Sequence, residues 1–264
     1  MISVIIVNYN TLELTAQCVS SIIENVKSVP YEIIVVDNAS TLDNPQLLKE
    51  RFPSIKLVCN EANLGFAKGN NVGISVSLGK EILLLNSDTL VLDDVLAKTS
   101  KLLQSEKNIG IVTCRLQFPD GKVQHNCQPF PSFLKWSVEK TRMFKLLPMK
   151  LKSSFLQGRF FNYNAYGEPD WVWGTYFHFK RELLQGFKNR ELANDFFMYV
   201  EDMQWCYEAR LNGWRIAFES DAKIIHLMGQ SKGARNKNSE ENVSLFIEKY
   251  YSPIEKFLFH LIKN

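Results

Sequence analysis

Across the first 115 residues, short apolar runs alternate with stretches of helical periodicity, and this constrains the fold more than any other feature. The runs fall at 2–7, 32–36, 55–59, 81–85 and 109–116. Between them, 12–26, 42–52, 66–78 and 91–103 carry apolar residues at helical spacing, as Leu14, Cys18, Ile22 and Val26 do in the first. Runs that are apolar throughout suit strands buried on both faces of a parallel sheet. Strands that return through helices make the sheet mostly parallel and cover both of its sides. The expected fold is therefore α/β. After residue 118 the alternation breaks. Pro119-Asp120-Gly121 predicts a hairpin turn, and 129–168 reads as irregular, aromatic and locally basic. A strand is expected at 171–179, a helix at 196–211 closed by Asn212-Gly213, short strands at 214–218 and 223–225, and helix from Asn242 with a break at Pro253.

Composition removes several classes. A chain of 264 residues, 45% hydrophobic, can bury a core without disulfides. Its five cysteines are odd in number and contain no CxxC pair, which argues against a zinc ribbon or a redox motif and for a reducing compartment. A net charge of +3 is too mild for a nucleic-acid-binding face, so no nucleic-acid partner is expected. No apolar run nears the roughly 18 residues of a membrane span, and no basic stretch precedes an apolar core as in a secretory signal. A cytoplasmic location is expected.

In open parallel sheets, ligands bind at the carboxyl ends of the strands. Here those ends carry Asn8 and Asn10, Asp37 and Asn38, Asn63, and Asp88. Asn and Asp also favour ordinary turns, but four successive strand ends of this kind favour a site.

Four segments then carry a resemblance: Val4-Ile5-Ile6-Val7-Asn8-Tyr9-Asn10, Val35-Val36-Asp37-Asn38-Ala39-Ser40, Asn63-Leu64-Gly65-Phe66-Ala67-Lys68-Gly69-Asn70-Asn71 and Leu83-Leu84-Leu85-Asn86-Ser87-Asp88. Trp173-Gly174-Thr175, Phe196-Phe197-Met198-Tyr199-Val200-Glu201-Asp202 and His226 follow. In this order they resemble the inverting family-2 glycosyltransferases of GT-A fold, especially the bacterial rhamnosyl- and galactofuranosyltransferases. The resemblance covers about residues 1 to 230. It implies a nucleotide-sugar-binding half at 1–116 and an acceptor-binding half at 117–264 within one GT-A domain.

It also implies roles. Asp37, with Asn8, Asn10 and Asn38, lines the nucleotide pocket, where a carboxylate suits a ribose hydroxyl because it only accepts hydrogen bonds. Asn63, Gly65 and Asn70 belong to a Gly-rich helix entry facing the phosphates or the sugar. Asn86, Ser87 and Asp88 occupy the DxD position, with Asp88 the ligand of Mg2+ or Mn2+ and Asn86 one charge short of the strict pattern. His226 either joins that metal shell or is structural. Asp202 is the base that takes the acceptor's proton, and Glu201 positions the acceptor or holds Asp202. Gln204 stands where the family often has another acid. Trp173, beside Gly174, and also Trp171 and Tyr176, form an aromatic platform for the acceptor or pack in the core. His125, His178 and His260 read as structural.

The resemblance further implies a nucleoside-diphosphate sugar, dTDP- or UDP-linked and with rhamnose among the candidate hexoses, and a glycan or polyprenyl-diphosphate-linked acceptor. The setting it implies is bacterial surface polysaccharide such as O-antigen. Lys135, Lys140, Arg142, Lys145, Lys150 and Lys152 among Phe133, Leu134, Trp136, Met143, Phe144, Leu146 and Leu147, with the apolar stretch from Ile254, suit a peripheral contact with the inner membrane or packing on the body. Two rival functions fit less well. A sugar nucleotidyltransferase would need a Gly-rich loop with Arg or Lys after the first strand. A non-catalytic scaffold would not need Asp88 and Asp202.

Overall fold

A computed structural model of the chain describes residues 1–197, 199–228 and 237–263; Met198 of the motif above lies outside them, as does the His260 side chain. The elements are β1 (Ile2–Asn8), α1 (Leu12–Asn25), β2 (Tyr31–Asp37), α2 (Gln46–Arg51), β3 (Lys56–Cys59), α3 (Gly65–Ser75), β4 (Glu81–Leu85), β5 (Thr89–Val91), α4 (Val95–Ser105) and β6 (Ile109–Gln117). After these come β7 (Val123–Gln124), β8 (Cys127–Gln128), α5 (Phe133–Lys140), the single turn α6 (Met149–Leu151), β9 (Trp171–Val172), β10 (Tyr176–Lys180), α7 (Glu201–Leu211), β11 (Arg215–His226), α8 (Lys237–Tyr250) and α9 (Pro253–Lys263).

The main sheet runs β3-β2-β1-β4-β10-β6-β11-β5, with β7 paired to β6. The β3, β2, β1 and β4 strands are mutually parallel, as the apolar runs predict. Two apolar clusters cover the sheet. One gathers Val4, Ile6, Val19, Ile22, Leu83 and Leu85 with α1; the other gathers Ile5, Ile34, Leu84, Phe177, Phe179 and Trp205 with α3 and α7. Gly73 lets α3 approach β1, since a Cβ there would meet Ile5 Cγ2 at 2.4 Å.

Several boundaries differ from the sequence reading. The expected strand at 171–179 is two strands, because Trp173–Thr175 turns out of the ladder. β9 pairs with β8 in a separate ribbon, while β10 enters the main sheet antiparallel to both β4 and β6. The helix expected from 196 begins only at Glu201, because Tyr199 and Val200 take left-handed backbone at φ 68° and 79°. The short strands at 214–218 and 223–225 are one strand, β11, with an irregularity between Glu219 and Lys223. The helix expected at 91–103 starts at Val95, after β5 has paired with β11. Residues 129–168 contain a helix, α5. Among the described residues, no helix is long and apolar enough to cross a membrane.

Candidate active site

The carboxyl ends of β1 and β2 hold one hydrogen-bonded cluster. Asn8 donates from Nδ2 to Asp37 Oδ1 at 2.6 Å and to Ser40 Oγ at 3.1 Å. Its Oδ1 accepts from Thr11 and Thr15, the residue before α1 and one in its first turn. Asp37 is buried, and Ser40 donates to both of its oxygens, from Oγ at 2.6 Å and from its backbone N–H at 2.9 Å. Its carboxylate therefore caps the turn at 37–40. Asn10 donates its N–H to Ser40 Oγ, and its side-chain oxygen accepts from the Thr41 and Leu42 N–H groups.

The next strand end joins this cluster. Asn38 donates to the Gly65 carbonyl at 3.0 Å and to Asn63 at 3.4 Å, and accepts from Asn60. It ties the end of β2 to the entry of α3. Gly65 has φ +79°, and a Cβ there would lie 2.7 Å from the Phe197 carbonyl oxygen. Phe197 thus rests on the glycine-rich turn, and only glycine suits both the backbone and the contact. Asn70 is buried, with its amide turned back to the Phe66 carbonyl.

At the end of β4, the Asn86 N–H donates to the Thr175 carbonyl, and Ser87 Oγ meets Thr11 Oγ1 at 3.2 Å. Asp88 is buried, with Oδ1 3.3 Å from His226 Nε2 at the end of β11. Gln124 fixes that ring. Its Nε2 donates to the His226 carbonyl at 2.8 Å, so its Oε1 is the atom 2.7 Å from His226 Nδ1. Nδ1 then donates to Gln124, which leaves Nε2 facing the Asp88 carboxylate. Two electron-rich groups facing each other need a proton or a cation between them. Gln124 lies 102 residues before His226 on the hairpin; a lone Gln there gives no sequence signal.

Asp202 opens α7. Its Oδ2 accepts the Gly174 N–H and its Oδ1 the Met203 N–H, each at 2.9 Å. A Cβ on Gly174 would touch Phe66 at 2.9 Å and the Asp202 Cβ at 3.7 Å, so the 173–175 turn, α3 and α7 converge here. Glu201 is buried, and its Oε2 has no hydrogen-bond partner among the described residues. Burial raises both carboxyl pKa values above the carboxylate range. In Glu201 the neighbouring Asp202 charge adds to the rise, whereas in Asp202 the two N–H groups oppose it. Asp202, being half-buried, is the more accessible of the two. The left-handed backbone at Tyr199 and Val200 is costly, most of all for β-branched Val200. It aims this first turn, and Asn242 of α8 donates to the Tyr199 carbonyl.

The structure narrows two expectations, the aromatic platform and the basic surface. Tyr176 cannot stack on a sugar: it is fully buried, with its hydroxyl 2.8 Å from Thr99 Oγ1. Trp173 is half-buried, its N–H bonded to the Asn126 carbonyl, and Trp171 donates its indole N–H to Pro129. Lys135 is no surface cation, since it is paired at 2.6 Å with Asp170, itself largely buried. His178 packs in the core between Thr99 and Glu81, as a structural histidine should. An open cavity of about 790 Å³ lies at the other end of the sheet, lined by Lys80, Lys180 and Arg181. Both Lys180 and Arg181 donate to backbone carbonyls there, so it adds nothing to the strand-end cluster.

The chain superimposes over 94% of its length on GalNAc-T7 with UDP, GalNAc and Mn2+, at TM-score 0.64 and 16% identity, covering 47% of that chain. It superimposes over 87% on the mannosyltransferase PcManGT of Pyrobaculum calidifontis in complex with GDP-Man and Mn2+, at TM-score 0.60 and 20% identity, covering 57% of that chain. The fold is that of the GT-A glycosyltransferases. The model of glycosyl transferase family 2 matches residues 3–199, and the chain belongs to that family. It is 27% identical over 231 residues to the low-salt glycan biosynthesis hexosyltransferase Agl10 of Haloferax volcanii, 85% of this chain and 66% of that protein. It is 22% identical over 236 residues to the N-acetylglucosaminyl-diphospho-decaprenol L-rhamnosyltransferase of Mycobacterium tuberculosis, 77% of this chain and 69% of that protein. Against the glycosyltransferase GlyG of Streptococcus pneumoniae it is 31% identical over 116 residues and spans 38% of that protein's length.

Proposed function

We propose that the chain transfers a hexose, with inversion, from a nucleoside-diphosphate sugar to a glycan acceptor. The observation that carries this is the Asp202 carboxylate. It is held by the Gly174 and Met203 N–H groups at the meeting of α3, α7 and the 173–175 turn, with its pKa raised by burial. A carboxylate so held keeps an accepting lone pair and gains basicity from desolvation. It takes the proton of the acceptor hydroxyl as that oxygen bonds to the anomeric carbon. The bond from that carbon to the diphosphate oxygen breaks, and its electron pair leaves with the nucleotide.

Residues 1–116 serve the nucleotide sugar. Asp37, Asn8, Asn10 and Asn38 shape the pocket for base and ribose, and the turn at Asn63 and Gly65 faces the phosphates. Asp88 and His226 suit a divalent cation: one carboxylate and one imidazole with its outer nitrogen fixed by Gln124. When bound, Mg2+ or Mn2+ would offset charge on the leaving diphosphate. Residues 117–264 serve the acceptor, with Trp173, Gly174 and Glu201 placing its sugar. The resemblance and the mycobacterial relative favour a polyprenyl-diphosphate-linked saccharide, met at the cytoplasmic face of the inner membrane.

The test is thermal stabilisation across a panel of dTDP-, UDP- and GDP-sugars, with and without Mn2+ or Mg2+, followed by transfer assays. A ligand at 100 times its Kd stabilises by about 2.7 kcal/mol. If no nucleotide sugar shifts the melting point with either cation, the reading fails.

A further inference from the structure

Two segments far apart in sequence form one face. Trp136 of α5 meets Phe259 of α9 edge-on, with ring centroids 4.9 Å apart. Just before α9, Tyr251 donates its hydroxyl to the Pro131 carbonyl at 2.7 Å. With Phe259 turned inward, α9 presents Ile254, Phe257 and Leu261 outward, 73%, 64% and 58% exposed. Their spacing of three and four residues makes one helical stripe, of the kind a surface helix normally turns to the core. Leu134, Met143, Leu146 and Met149 are exposed on and after α5.

The same region concentrates charge. Residues 133–160 hold Lys135, which Asp170 pairs, and six further cations against Glu139 alone, so the remainder of a chain of net charge +3 is acidic. Arg142, Lys145, Lys150 and Arg159 are exposed.

We propose that the α5–α9 face docks on an anionic lipid bilayer, its apolar side chains entering the headgroup boundary and its cations meeting lipid phosphates. Apolar insertion with a polybasic patch supplies the two signals that stable peripheral binding takes. A second copy is a poor occupant, because a two-fold contact would bring the same cations together. The face is fastened to the site: Tyr251 stacks on Tyr207 of α7, the helix that opens with Glu201 and Asp202. Lys135 of α5 is bound to Asp170, next to β9. Docking would thus hold the acceptor side beside the bilayer, a role that rests on the lipid-linked acceptor proposed above.

The experiment is co-sedimentation of the whole chain with phosphatidylcholine vesicles, with or without phosphatidylglycerol, at low and high salt. The native protein is expected to pellet only with the anionic vesicles, and less at high salt. Each cation near such a surface strengthens binding about five-fold, so Arg142→Gln, Lys145→Gln and Lys150→Gln together should weaken it about 100-fold. Ile254→Ser with Phe257→Ser should weaken binding at both salt levels. These residues are exposed, so melting point and transfer to a water-soluble acceptor should not change. A native protein that stays in the supernatant with anionic vesicles overturns the proposal, whether it is monomeric, self-associated or held by an acidic protein. So does binding that both sets of variants leave intact. Vesicle binding without sugar transfer would count against the proposed function and leave the face standing.

Discussion

Replacing Asp202 by Asn separates chemistry from folding in a way the geometry makes quantitative. The native carboxylate accepts two backbone N–H groups, one on each oxygen. An amide has one acceptor oxygen, so either Gly174 or Met203 would face an NH2 group. Leaving a buried donor unpaired costs about 1–3 kcal/mol. Against this, the raised pKa means that ionised Asp202 already weakens the native state at neutral pH, and the variant removes that charge. The sign follows from linkage: a carboxyl whose folded pKa is raised adds stability below its unfolded pKa and loses that contribution as pH rises through the folded value. The two effects oppose, so the melting point should stay within about 4 °C of native, which for a chain of this size is about 1–2 kcal/mol. The proposed base, however, is gone. The kcat should fall by roughly 10²–10⁴ while nucleotide-sugar affinity holds, and each tenfold loss is about 1.4 kcal/mol of barrier. Initial rates with saturating substrates, a pH–rate profile and a melting curve make the assay. The native acid limb should lie above the ordinary carboxylate range. Glu201→Gln should keep an acid limb, because the Asp202 carboxyl that produces it is still present. Near-native kcat in Asp202→Asn, or an acid limb that disappears in Glu201→Gln alone, would refute the assignment.

Three further outcomes are expected. Asp88→Ala should abolish transfer while the fold survives, and chelation should do the same to the native protein; full activity in excess chelator would remove the metal role. Gln124→Leu should raise the divalent-cation concentration needed for half-maximal rate by about 10–100-fold, since it frees the His226 ring; an unchanged requirement would show that the ring needs no such hold. Burial alone would raise the Glu81 pKa, but His178 Nε2 at 3.1 Å and hydrogen bonds from Ser100 and Gln104 bring it to about 2. That depression stabilises the fold by about 3 kcal/mol above pH 5 and is lost as pH falls from there toward 2, so Glu81→Gln should flatten the acid side of a stability–pH curve.

The strands of the first half were legible because each apolar run is short, continuous and bounded by turn residues. The parallel arrangement of β1 to β4 followed from the helical returns alone. What sequence could not show depends on contacts between distant residues. The entry of β10 between β4 and β6 is set by pairing across about 95 positions, as in His178 with Leu83. The late start of α7 left no sign in the sequence, since neither Tyr199 nor Val200 is a residue type that favours positive φ. At the site, Asp88, His226 and Asp202 came from motif order. Gln124 did not, because a hydrogen bond spanning 102 residues leaves no pattern. Tyr176 stayed open between platform and core because a tyrosine beside tryptophans looks the same in sequence whether it lines a groove or fills a core.

The placement of β10 has a mechanical consequence. A strand from the later half is laced on one side to β4 and on the other to β6, and the Asn86 N–H is pinned to the Thr175 carbonyl just beyond it. The loops that would serve the two substrates are thus riveted to one plank, and a clamshell opening between the halves would have to tear the ladder. Give must come from the rim. The strained joints at Tyr199 and Val200 lie on that rim, close to where Phe197 meets the turn at Gly65.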